Sequence, residues 1–124
     1  MNRSLLLLSI LLAAAPAAAN YHCSFGFFGF PVADVNITFD PTTNLLDEYA
    51  EVIMSGKAHQ ELITVDTITT GEIFHAWLSK YTNNAIELII FDKLNDKGEP
   101  TAKLINPNVP IGKESTGICT QAAN

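Results

Sequence analysis

Two cysteines, Cys23 and Cys119, stand close to the two ends of a 124-residue chain and are the only ones it has. Whether they can join depends on the compartment, and the first twenty residues, MNRSLLLLSILLAAAPAAAN, point to export. Arg3 precedes an apolar run from Leu5 to Ala15, followed by Pro16 and a small-residue exit at Ala17, Ala18 and Ala19. This is the layout of a secretory signal peptide, residues 1–19, with cleavage expected after Ala19. The run falls well short of the ~20 apolar residues that cross a bilayer, so no stable membrane insertion is expected after cleavage. The expected product is a single domain, residues 20–124, periplasmic or secreted. In an oxidising compartment two cysteines read as one disulfide, Cys23–Cys119. Such a bridge holds the two Cα atoms within about 7 Å, so the ends of the domain must meet. Closing a loop of roughly 100 residues contributes about 4–5 kcal/mol by the chain-entropy argument.

Between the cysteines the dominant period is two. In VADVNITFD, residues 32–40, Ala33, Val35, Ile37 and Phe39 alternate with Asp34, Asn36, Thr38 and Asp40, the pattern of a half-buried strand. QELITVDTITT (60–70), EIFHAWLSKY (72–81), AIELIIFD (85–92), TAKLIN (101–106) and STGICTQ (115–121) supply further strand candidates, rich in residues that suit a pleated surface. Asp40-Pro41-Thr42-Thr43-Asn44, Asn83-Asn84 and the segment Asp92–Pro100 read as turns or polar loops. LLDEYAEVIM (45–54) fits a short helix opening after Asn44 or a strand, and its strand neighbours favour the strand. Seven or eight short strands at such spacing predict an all-β fold. With first and last strands joined, a small antiparallel up-and-down barrel is expected, which leaves no free edge; a β-sandwich is the alternative.

The segment FGFFGF, residues 25–30, holds four of the seven phenylalanines. Alternation aims Phe25 and Phe27 inward beside Cys23. Phe28 and Phe30 then face outward unless Gly29 marks a bulge that swaps the faces. Core filling across such a bulge is the first expectation, and an exposed Phe28/Phe30 patch that binds a partner is the second.

The chemistry-bearing residues form no catalytic pattern. His22, His59 and His75 lack helical ligand spacing, and the Asp92 loop places Leu94 where a calcium ligand should stand, so no metal and no cofactor are expected. There is no G-x-S-x-G elbow, and bridged cysteines cannot act as nucleophiles. Carboxylate pairs such as Glu48 with Glu51 or Asp92 with Asp96 read as a solvated face among thirteen acidic residues. Asn36-Ile37-Thr38 matches a glycosylation acceptor but falls within a strand pattern. The formal charge of −6 becomes −7 when Arg3, the one arginine, leaves with the leader. Without a basic face no nucleic-acid binding is expected, and the acidic surface either favours a basic protein as partner or simply keeps an exported protein soluble.

A start of Tyr21-His22-Cys23, a β-rich middle of this length and a terminal Gly117-Ile118-Cys119 resemble, in outline, the periplasmic C-type lysozyme inhibitors. That family carries a Ser-Gly loop followed by Tyr and a later Trp-x-Lys-Gly run. Here Ser55-Gly56 is followed by Lys57-Ala58-His59, and Trp77 by Leu78-Ser79-Lys80. The resemblance implies a barrel that inhibits a basic secreted hydrolase such as lysozyme, with Ser55, Gly56, Lys57 and His59 entering its cleft. Two expectations follow. One is a non-catalytic binding module of the cell envelope, using that loop or Phe28 and Phe30. The other is a small-ligand carrier or enzyme with Phe74, His75, Trp77 and Tyr81 walling the barrel mouth.

Overall fold

The computed structural model describes residues 20–79 and 84–122. The expected leader, Tyr81 and Asn83 lie outside them. Eight strands follow in order: β1 (Asn20–Phe27), β2 (Phe30–Ile37), β3 (Tyr49–Met54), β4 (Lys57–Val65), β5 (Glu72–Leu78), β6 (Ile86–Leu94), β7 (Pro100–Ile105) and β8 (Glu114–Ala122). Each pairs antiparallel with the next, and β8 returns to β1, so the sheet is a closed up-and-down barrel rather than a sandwich.

The period of two in the sequence becomes inside and outside. Val35 and Ile37 on β2, Ala50 and Val52 on β3, Ala76 and Leu78 on β5, Leu88 and Ile90 on β6 and Leu104 on β7 are buried in one continuous core. These inward side chains fill the barrel. The connection after β2 is the turn expected from its composition: the Asp40 carboxylate accepts the Thr42 and Thr43 amides at 2.7 and 3.1 Å. Asn44 ends that turn in the left-handed region, φ 64°, instead of opening a helix. Residues 45–54 resolve accordingly, with an isolated bridge from Leu46 to Phe39 and a strand only from Tyr49 onward.

The seam between β1 and β8 closes the barrel. Its register runs from Asn20 opposite Ala122 to Gly26 opposite Thr116, with Cys23 directly opposite Cys119. The two cysteines form the disulfide, their Cα atoms 4.0 Å apart, and both are fully buried. Two pairs further along, Gly117 faces Phe25. A Cβ there would lie 2.2 Å from the Ser24 carbonyl oxygen and 2.6 Å from the Phe25 ring. Only glycine lets β8 come this close while Phe25 fills the barrel above it.

The phenylalanine segment departs from the first expectation. Gly29 is not a bulge: Phe27 pairs with Phe30, and Phe28-Gly29 forms the two-residue turn between β1 and β2. The register shift falls earlier, between Phe25 and Gly26. The reason is local geometry, because both Phe28 (φ 49°) and Gly29 (φ 81°) adopt positive φ, as a type I′ hairpin turn requires. Phe25 is therefore buried, whereas Phe28 and Phe30 are 86% and 73% exposed.

Two outcomes test this architecture. Replacing Cys23 and Cys119 together by alanine should leave a folded barrel weakened by about 4–5 kcal/mol, measured by denaturant unfolding with and without reductant. Gly117→Ala should cost at least the ~1–3 kcal/mol of ordinary overpacking, seen as a lowered unfolding midpoint, since the clash is with backbone that cannot step aside.

Candidate functional site

Because the strands run up and down, the connections sort to two poles. One pole collects the Phe28-Gly29 turn, the Ser55-Gly56 turn, Asn84 ahead of β6 and the loop between β7 and β8. One polar contact closes the β7–β8 loop and two tie it to its neighbours. The Asn106 amide N–H donates to the Lys113 carbonyl at 2.6 Å, its side-chain nitrogen lies 3.9 Å from the Met54 sulfur, and Asn108 Nδ2 donates to the Asn84 carbonyl at 2.9 Å. This loop also backs the first hairpin, since a Cβ on Gly112 would touch the Phe27 ring at 3.4 Å. Phe28 in turn meets Phe27 edge-on, their ring centroids 4.6 Å apart.

Five of the residues singled out in the sequence share this pole: Phe28, Phe30, Ser55, Gly56 and Lys57. They do not stand at one height. Asp34 pairs with Ile53, so Phe30 reaches four residues past Asp34 while β3 reaches one past Ile53. Measured along the strands, the first hairpin therefore runs about 10 Å further than the second, at ~3.3 Å per residue. Lys57 closes the Ser55-Gly56 turn opposite Met54, and His59 lies two residues down β4, opposite Val52. Both are exposed. Sequence reasoning missed Ile111, which is 78% exposed on the β7–β8 loop. Its signal was an apolar residue directly after Pro110, between the strand candidates 101–106 and 115–121.

The backbone adds a contrast. Among the described residues, four other than glycine have positive φ: Phe28, Asn44, Ser55 and Asn84. Asparagine tolerates that region well, and serine is small; a bulky aromatic there is costly, on the order of 1–2 kcal/mol. Ser55-Gly56 makes the same kind of turn as Phe28-Gly29, with positive φ at both residues. The chain thus uses a small residue at one tip and an exposed phenyl ring at the other.

The mouth-wall candidates separate. Phe74 is buried in the core, while His75 and Trp77 alternate with it and point outward, and Tyr81 is outside the described residues. The three histidines sit on β1, β4 and β5, and among the described residues no group of three His, Cys, Asp or Glu is placed to hold a metal. Asn36 faces outward within a satisfied network, accepting from His22 Nδ1 and donating to Glu51 Oε1 at 2.9 Å. The Asp92–Pro100 segment contains a polar hairpin loop in which Asn95 Oδ1 accepts the Lys97 and Glu99 amides.

On the outer wall, His75 anchors an unforeseen cluster. Its Nε2 lies 2.6 Å from Glu87 Oε2 and its Nδ1 3.3 Å from Glu72 Oε1. Next to it the Trp77 indole donates to Asp66 Oδ2 at 2.9 Å. Burial opposes charging of His75, but the Glu87 hydrogen bond and the nearby charges of Glu72, Glu87 and Asp66 outweigh it and raise the imidazole pKa. The Trp77 indole and the Thr67 amide hold Asp66 below its ordinary value, and the Thr69 amide does the same for Glu72. Sequence alternation placed His75 on the face of Trp77, yet Glu87 reaches it only through the β5–β6 register.

Comparison of the chain with protein-family models, with curated proteins and with solved structures finds no match. The functional reading therefore rests on the molecule itself.

The signs of these shifts define a pH window. Stabilisation from charged His75 is complete below its unfolded value near 6.5 and is lost as pH rises through the raised folded value. Stabilisation from Asp66 and Glu72 is present above their unfolded values, near 3.8 and 4.5, and is lost as pH falls through the lowered ones. The cluster should support the fold most between about pH 4.5 and 6.5. An NMR titration should place the His75 midpoint above 6.5, and His75→Gln should flatten the loss of thermal stability on the alkaline side.

Proposed function

We propose that this protein is a small exported, non-catalytic binding module of the cell envelope that grips a protein partner with its Phe28 hairpin. The observation that carries this reading is Phe28 itself. An aromatic ring, 86% exposed, occupies a turn position where backbone energetics favour Asn, Asp or Gly. Folding gains little from it beyond one ring contact. Backbone strain held at a surface tip is a common mark of a binding element, and exposed aromatics are the anchors that most often dominate interfaces. Phe30 and Ile111, at the same pole, extend the apolar surface. A filled barrel interior argues for engagement from outside rather than for a carrier.

The partner class is a basic protein. After leader cleavage the chain carries a formal charge of −7 with no arginine, and such a field speeds encounter with a cationic surface in a salt-dependent way. A basic secreted hydrolase such as lysozyme is one form of this partner. In that form the projecting Phe28 hairpin enters the cleft and the lower Ser55-Gly56-Lys57 turn, with His59 behind it, contacts the rim.

The test separates binding from folding. Phe28→Gly relieves the left-handed strain, so its unfolding midpoint should match or slightly exceed the wild type. Affinity for a C-type lysozyme, measured by inhibition at low and high salt, should fall at least tenfold with Phe28→Gly or Phe30→Ser. No inhibition by wild-type protein at micromolar concentration removes the lysozyme form. A basic partner found by other means that binds both variants as well as wild type removes the hairpin reading altogether.

A further inference from the structure

The outer wall next to the His75 cluster, across β6, carries a groove of about 880 Å³ that the hairpin does not touch. It crosses four strands. Ser24 on β1 pairs with Ile118 on β8, and Ile118 pairs with Thr101 on β7. Ile90 on β6 pairs with Ala102, and past the register shift that follows it the Thr101 hydroxyl donates to the Lys93 carbonyl at 2.9 Å, so residues 91–93 of β6 border Thr101. The row spans three interstrand spacings, about 14 Å, the reach of an extended acyl chain of about twelve carbons.

Two features make this wall concave. Ala102 and Gly117 point into the barrel yet still line the groove, because they are the small residues at which the wall sinks toward the core. The close approach at Gly117 described above is the same feature seen from inside. At the far side, the register of β6 against β7 shifts between Ile90 and Leu94. The Asp92 amide there donates to the Gly71 carbonyl at 2.9 Å, and Gly71, Phe91, Asp92 and Lys93 line this side of the groove.

The chemistry of the lining is mixed in an informative way. Ile118, 38% exposed, and half-buried Phe91 offer apolar surface, extended by the Thr116 methyl and the aliphatic stems of Lys93 and Lys103. Lys103 already pairs with Glu114, at 3.1 Å. Lys93 has no carboxylate within ion-pairing distance among the described residues, although Asp92 beside it also borders the groove. In a chain with thirteen acidic residues and six lysines, a groove whose two lysines balance Glu114 and Asp92 is near neutral, and Lys93 is the lysine in it with its ammonium not already ion-paired.

From this we infer that the groove binds an amphipathic carboxylate, a free fatty acid of about twelve carbons, with the tail across Ile118 and Phe91 and the carboxylate at Lys93. The size lies within the range of small-ligand sites, roughly 300–1,000 Å³, and a charge-assisted contact to an ammonium fixes the orientation. This site is independent of the Phe28 hairpin, so each reading can fail without the other.

The experiment is an NMR titration of the mature, disulfide-bonded protein with dodecanoate below its micelle concentration. Dodecyltrimethylammonium and dodecanol serve as cationic and neutral comparators. Saturable dodecanoate binding is expected, with amide shifts confined to residues 91–93, 101–103 and 116–118. Lys93→Glu should weaken it about tenfold while leaving dodecanol unchanged, and Thr116→Trp, at an exposed position, should block all three. Thermal unfolding of both variants should match the wild type. Three results would overturn the inference: no saturable dodecanoate binding below millimolar concentration, shifts centred on Phe28 and Phe30, or equal affinity for the cationic amphiphile.

Discussion

The contact between β1 and β8 is the constraint on which the rest of the molecule depends. Seven residues of β1 face seven of β8, with the disulfide at the centre of the run. Hydrogen bonds alone would close the sheet, but pairing strands nearly a hundred residues apart costs loop-closure entropy before any contact is gained. The covalent link removes that cost from the unfolded chain. Closure also limits what the strands can do, because each has a neighbour on both sides and unpaired backbone is confined to overhangs such as residues 30–33 of β2 beyond the short β2–β3 ladder. Association then falls mainly to side chains at the poles or on the wall.

The aromatic residues show how this constraint distributes roles. Phe25 and Phe74 belong to the core, and Phe25 fits only because Gly117 opposite it has no side chain. Phe27 is an intermediate case, resting on Gly112 and supporting Phe28. Phe28 and Phe30 lie past the end of the barrel, where no interior remains to receive them. Four phenylalanines in six positions thus pass from core to solvent in about two turns of the pleat, and the proposed partner-binding pole begins where the packing ends.

Most of the fold was legible because a half-buried antiparallel sheet writes its inside and outside directly into alternation, as in Ala33, Val35 and Ile37 against Asp34 and Asn36. The disulfide was legible from the cysteine count and the expectation of export, and it chose the barrel over the sandwich. What the sequence concealed depended on turns and registers. Phe28-Gly29 was missed as a turn because phenylalanine is an unusual first residue for it, whereas Ser55-Gly56 was recognised. His75 and Glu87 meet through a strand pairing that no local pattern encodes. The groove depends on a register irregularity in β6 and on the depth of the wall at Gly117, neither of which has a sequence period.

The pairing of Asn20 with Ala122 puts the first and last residues of the sheet side by side at the pole away from Phe28. Polypeptide attached at either extremity enters at that distal face. A tether, an affinity handle or a surface anchor placed there would present the aromatic tip outward, like a plug held by its base, and leave its approach unobstructed.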